Sequence, residues 1–172
     1  MVFSLRLAGR CLLGAFLLYL SSRLRLWTGG PVPVTGQTFC LALMCLLADT
    51  KTAVGASVLY LAAGAAGLDV FAGGRGLHSA GAGYLTAFPF AAFLMSNLSR
   101  KARQTLAGLT VSLLPGLTLI YLCGTAGLMA SEGVRTGAVW GAAPFVCWDM
   151  VKLIFAALLA LRARSGREDT DE

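Results

Sequence analysis

Charged side chains in this chain gather at the ends of six apolar stretches and are almost absent from within them. That arrangement leaves few ways to fold. The residues are 57% hydrophobic and only 13% charged, with a mean hydropathy of +0.75. The charged share is about half that of an ordinary soluble domain. Fourteen basic and eight acidic side chains cannot clothe a soluble fold of 172 residues. A cytosolic globular enzyme and a disordered chain are both excluded. Crossing a membrane takes about 20 apolar residues per helix, so six helices use roughly 120 and leave about 50 for short connections. No room remains for a separate soluble domain. The expected fold class is an all-α membrane protein of six transmembrane helices.

The spans run from about Phe3 to Leu24, Gln37 to Ala48, Thr52 to Gly67, Ala80 to Leu98, Gln104 to Met129 and Ala138 to Leu161, with Pro115 interrupting the fifth. The first is longer than a signal-peptide core, and no A-x-A cleavage site follows, so it is kept as a helix. Residues 1–163 form the six-helix domain and 164–172 a charged tail. The termini and even-numbered connections carry nine basic residues: Arg6, Arg10, Lys51, Arg100, Lys101, Arg103, Arg162, Arg164 and Arg167. The odd connections carry four, namely Arg23, Arg25, Arg75 and Arg135. By the positive-inside rule both termini face the cytoplasm. The net charge of +6 is therefore a mark of topology and not of nucleic-acid binding.

Asp149 and Lys152 stand three apart within the sixth span, on one helix face. A charge at membrane depth costs at least a few kcal/mol unless it is paired or faces a cavity. The pair is either a structural ion pair or part of a ligand site. A second polar set converges from the outer loops. Thr35 and Gln37 follow the stiff Val32-Pro33-Val34 turn. Gly67, Gly73, Gly74 and Gly76 let backbone approach a ligand, with Asp69 and Arg75 between them and Tyr84 at the start of the fourth span. Trp27, Trp140 and Trp148 fall near outer ends as interfacial anchors, although Trp148 is also placed to stack on a bound ring.

Several chemistries find no support. The five cysteines fit no zinc or redox spacing, and His78 has no ligand-spaced neighbour. No P-loop, G-x-S-x-G or H-E-x-x-H occurs, so no cofactor or metal is implied. Small residues at Gly9, Cys11, Gly14 and Ala15 stripe the first span. Such a stripe serves packing inside the bundle or docking of another membrane subunit.

The run Pro31-Val32-Pro33-Val34-Thr35-Gly36-Gln37-Thr38 resembles the V-P-x-T-x-Q-T motif of BioY proteins. Leu59-Tyr60-Leu61 with Gly64 and Gly67-Leu68, then Val70-Phe71-Ala72-Gly73-Gly74, resemble the stretches that follow it in that family. Gly83-Tyr84-Leu85 with Phe88, and Pro144-Phe145 with Asp149 and Lys152, complete the likeness in the right order. The chain departs from the family pattern at Asp69, at Arg75-Gly76-Leu77 and at Ser79-Ala80-Gly81-Ala82.

The resemblance implies a biotin-binding S component of an energy-coupling factor (ECF) transporter. It would be a multi-pass protein of a prokaryotic cell membrane that captures vitamin from outside. A transmembrane coupling subunit and two ABC-type ATPases would drive uptake. Cys11 and Ala15 would dock the coupling subunit. Asp149, Lys152 and Gln37 would meet the ureido ring, Tyr84 and Trp148 would cover the apolar ring, and Arg75 would clamp the carboxylate. The rival expectations are an S component for another small carboxylated vitamin and a structural or assembly membrane protein without a small ligand.

Overall fold

The structure, a computed structural model, describes residues 2–72 and 80–168. Helix α1 (Val2–Arg23) leads through a two-residue ribbon, β1 (Arg25–Leu26) and β2 (Val34–Thr35), into α2 (Gln37–Leu47) and α3 (Thr50–Ala65). Then come α4 (Ala82–Thr86), α5 (Phe88–Lys101), α6 (Leu106–Glu132), α7 (Val134–Trp140) and α8 (Ala143–Glu168). The stretches Leu5–Arg23, Leu106–Glu132 and Val134–Gly166 are long and apolar enough to cross a membrane. Helix α2 is apolar but shorter, at 11 residues.

Each boundary has a local cause. Asp49 caps α3, its carboxylate accepting from the Thr52 amide at 2.9 Å and the Thr52 hydroxyl at 2.8 Å. Helix α3 ends in a Schellman turn: Leu68 N–H reaches Ala63 O at 3.1 Å, with Gly67 at φ +92°. Gly67 thus serves a turn that only glycine adopts cheaply, and no side chain crowds it. The expected fourth span is split, because Pro89 in the first turn of α5 has no N–H to continue the ladder from α4. Pro115, by contrast, does not interrupt α6, which runs unbroken through it. Gly116 beside it packs against Met95 and the Ala91 carbonyl, and such packing lets a membrane helix tolerate proline.

The expected sixth span is also divided. Pro144 cannot donate back to Trp140, so a new helix begins at Ala143. That helix continues to Glu168, and the boundary expected at 163/164 falls inside it.

Helices close on one another through small residues. A Cβ at Gly55 would stand 2.6 Å from Cys11 Sγ, and one at Gly14 would stand 2.7 Å from Ala56 Cβ. The stripe on α1 is therefore spent largely on α3, and Cys11 is buried there. Cys11, expected to dock a partner, thus meets α3 of its own chain. Ala15 packs half-buried at the core's edge, while Gly9 faces open space. On the other side, Gly83 and Gly127 bring α4 and α6 into backbone contact, a Cβ at Gly127 standing 2.9 Å from Gly83 Cα.

Candidate functional site

A cavity of about 440 Å³ opens where the β ribbon, the start of α2, the α3–α4 connection, the end of α6 and the start of α8 meet. Its polar floor comes from α8 and α2. Asp149 and Lys152 form an ion pair at 2.8 Å, and the Asp149 side chain is only 4% exposed. Thr38 donates to Asp149 Oδ1 at 2.7 Å, and Tyr121 donates to Oδ2 at 2.8 Å. Lys152 also donates to the Thr35 carbonyl at 2.7 Å. The buried carboxylate and the partly buried ammonium thus satisfy each other with help from uncharged neighbours, which is the condition for tolerating charge at depth.

A second polar chain adjoins the first. The Thr35 hydroxyl donates to Gln37 Oε1 at 2.9 Å, and Gln37 Nε2 donates to the Tyr60 hydroxyl at 2.8 Å. Tyr60 in turn donates to the Val70 carbonyl at 2.9 Å, an acceptor that Ser22 also reaches at 2.9 Å. The Gln37 amide is held in one orientation by these partners. Arg23 meets the Asp69 backbone carbonyl and its carboxylate, and Arg25 donates to the Ala72 carbonyl at 2.6 Å. The end of α1 and strand β1 therefore pin segment 68–72 along one edge of the cavity.

The walls are aromatic. Tyr84 lies edge-on to Phe145, with ring centroids 5.7 Å apart. It fits because Gly124 leaves the space: a Cβ there would meet the Tyr84 ring at 2.1 Å. Its hydroxyl donates to the Gly141 carbonyl at 2.6 Å, tying the fourth helix to the break before α8. Phe71 rests on Gly64 and meets Tyr60 edge-on at 5.3 Å. Trp27 and Phe88 complete the apolar lining. An aromatic shell over a few fixed polar groups suits a small molecule with one polar end.

The family model described as BioY family matches residues 1–169. The chain belongs to the BioY family. It is 36% identical over 140 residues to the biotin transporter BioY of Thermotoga maritima, covering 78% of this chain and 82% of that one. It is 35% identical over 141 residues to a probable biotin transporter BioY of Pyrococcus horikoshii, covering 80% and 83%. The crystal structure of the S-component for biotin from an ECF-type ABC transporter superposes with a TM-score of 0.81, covering 94% of this chain and 92% of the other. At 20% identity that likeness is one of fold. A multi-pass membrane protein with the BioY architecture follows from these findings together with the apolar helices.

In this BioY-family chain, Thr35, Gln37, Tyr84, Asp149 and Lys152 all line one cavity, as their grouping in the sequence led one to expect. Two other expected contacts lie elsewhere. Trp148 is 49% exposed and lines no part of the cavity, because one residue along a helix turns the side chain about 100° away from Asp149. Asp69 faces outward to Arg23 and does not line the cavity either. Gly73, Gly74 and Arg75 lie outside the described residues, as do Gly76 and His78. The sequence reading missed Tyr121 as a partner of Asp149, since nothing in α6 marks which of its polar residues turns toward α8. Thr38, the last residue of the motif run, meets Asp149 across the bundle, which its place in the sequence does not announce. Trp27, expected as an interfacial anchor, is well exposed and also lines the cavity.

Proposed function

We propose that this BioY-family chain captures biotin from the outer face of a prokaryotic cell membrane, as the S component of an ECF-type importer. The carrying observation is the cavity floor, where a nearly buried Asp149–Lys152 pair and the oriented Gln37 amide face an aromatic vault. Biotin has a ureido ring, an apolar fused ring with its chain, and a terminal carboxylate. Asp149 would accept a ureido N–H, and Lys152 would donate to the ureido carbonyl. Gln37 and Thr35 would hold that end in register. Tyr84 and Phe145 would cover the apolar ring. Arg75, with Gly73 and Gly74 beside it, would meet the carboxylate by a charge-assisted bond.

The orientation belongs to the same proposal. Six spans, with α2, α3 and the α4–α5 pair counted among them, put both termini in the cytoplasm by the distribution of Lys and Arg. Work would come from a transmembrane coupling subunit and two ATPases. The exposed side of α1, where Gly9 stands open and Leu12 and Phe16 project, supports docking there better than Cys11 does.

Calorimetry of the purified protein with biotin tests the reading. Saturable one-to-one binding is expected. Absence of binding, with the fold intact, overturns it, and tighter binding of another carboxylated vitamin from a panel would reassign the ligand. The altered loop motif at Arg75-Gly76-Leu77 is the reason to include that panel.

A further inference from the structure

A second cavity, of about 260 Å³, lies at the opposite end of α2 and α8, lined by residues that include Arg100, Arg164 and Leu47. Arg100 comes from the end of α5 and donates through one Nη2 to the Ala48 carbonyl at 2.9 Å. Arg164, on α8, donates through its Nη2 to the Leu46 carbonyl at 2.7 Å. Both therefore serve the exposed carbonyls at the C-terminal end of α2, where the helix dipole favours cations. That duty uses one donor of each guanidinium, which carries five. Among the described residues neither forms an ion pair with a carboxylate. The acidic lining residue, Asp49, is already engaged by Thr52 and by Arg10 at 3.6 Å.

The flank of this cavity is apolar and faces outward. Leu47, a lining residue, is 47% exposed. Leu159, one helical turn before Ala163 on α8, is 37% exposed. Two convergent guanidinium groups at the end of a membrane helix bundle, above an exposed leucine flank, match a molecule with an anionic head and hydrocarbon tails. We infer that this cavity binds the phosphate of an anionic glycerophospholipid, held by Arg100 and Arg164, with an acyl chain along Leu47 and Leu159. The inference rests on the membrane embedding and not on which vitamin the other cavity holds.

The test is lipid retention by the full chain, read by native mass spectrometry and by titration in nanodiscs. Phosphatidylglycerol is expected to bind saturably and about tenfold more tightly than phosphatidylcholine, the scale of a charge-assisted contact. Arg100→Gln with Arg164→Gln keeps an amide donor for the α2 carbonyls while removing the charge, and should erase most of that preference. The thermal midpoint in detergent serves as the fold control for the double variant. Equal binding of the two lipids by the wild-type protein overturns the proposal whether or not the variant folds. So does an unchanged preference in a folded variant, which would leave the arginines as helix caps. Inorganic phosphate at millimolar concentration is expected not to displace phosphatidylglycerol. Displacement by phosphate alone would make the site a simple anion pocket and overturn the lipid assignment.

Discussion

The Tyr121 hydroxyl on α6 donates to Asp149 Oδ2 on α8 across 2.8 Å. With Thr38 and Lys152 on Oδ1, the carboxylate receives three donors from the protein itself. A carboxylate offers about four acceptor sites, so roughly one remains for a ligand N–H. Tyr121 thus orients the acceptor that the proposal assigns to the ureido ring. Tyr121→Phe is expected to weaken biotin binding by about tenfold, the scale of a hydrogen bond to a charged group. Calorimetry checks it, and unchanged affinity would remove Tyr121 from the site.

The Asp149–Lys152 pair separates a structural role from a binding one. Removing one partner leaves a buried charge uncompensated and costs about 3–5 kcal/mol of stability. Asp149→Leu with Lys152→Met together should recover most of that loss, because apolar replacements of a buried pair are often neutral. Biotin binding should stay lost in the double variant. Thermal unfolding in detergent and a binding titration give both readouts, and a double variant that binds biotin normally would leave the pair a purely structural one.

The two glycines of α1 should respond differently to the same change. Gly14→Val places branched carbons where Ala56 and Met44 already stand, so overpacking of about 1–3 kcal/mol is expected. Gly9→Val meets open space and should leave the thermal midpoint of the isolated protein nearly unchanged. Similar losses at both positions would contradict the packing of α1 on α3.

Asp49 carries a pH signature at the α2–α3 turn. Burial alone would raise its carboxyl, but the bonds from Thr52 and the nearby Arg10 outweigh that and hold it below its ordinary value. Since the folded value is the lower one, the stabilisation is complete above the ordinary value of about 4 and is lost as pH falls through the folded one. Asp49→Ala should cost about 1 kcal/mol at neutral pH. The gap from wild type should close as the medium is acidified below about pH 4. Unfolding curves across pH check it, and a gap that persists in acid would show that Asp49 acts through something other than its charge.

What the sequence made legible follows from its physics. A charged pair three residues apart in an apolar helix has to turn inward together, so Asp149 and Lys152 were found by spacing alone. The Val32-Pro33-Val34 turn located Thr35 and Gln37 for a similar reason, since proline leaves few directions open. Trp148, expected to stack on a bound ring, points away from the cavity that Asp149 lines, because adjacent helical residues face different ways. Cys11 packs on α3, and a small residue facing another helix of the same chain looks identical, in sequence, to one facing a partner. Pro115 invited a break that surrounding packing prevents, while Pro144 makes one. Tyr121 could be found only by knowing how α6 rotates against α8.

One consequence of the internally paired floor concerns how α8 enters the bilayer. An isolated carboxylate or ammonium at that depth would pull the bundle apart or draw water into it. Here the opposite charges of Asp149 and Lys152 cancel, and every donor around them already has an acceptor. Charge balance in the fold therefore comes from the chain itself, and the middle of α8 can enter the bilayer as an electrically neutral segment.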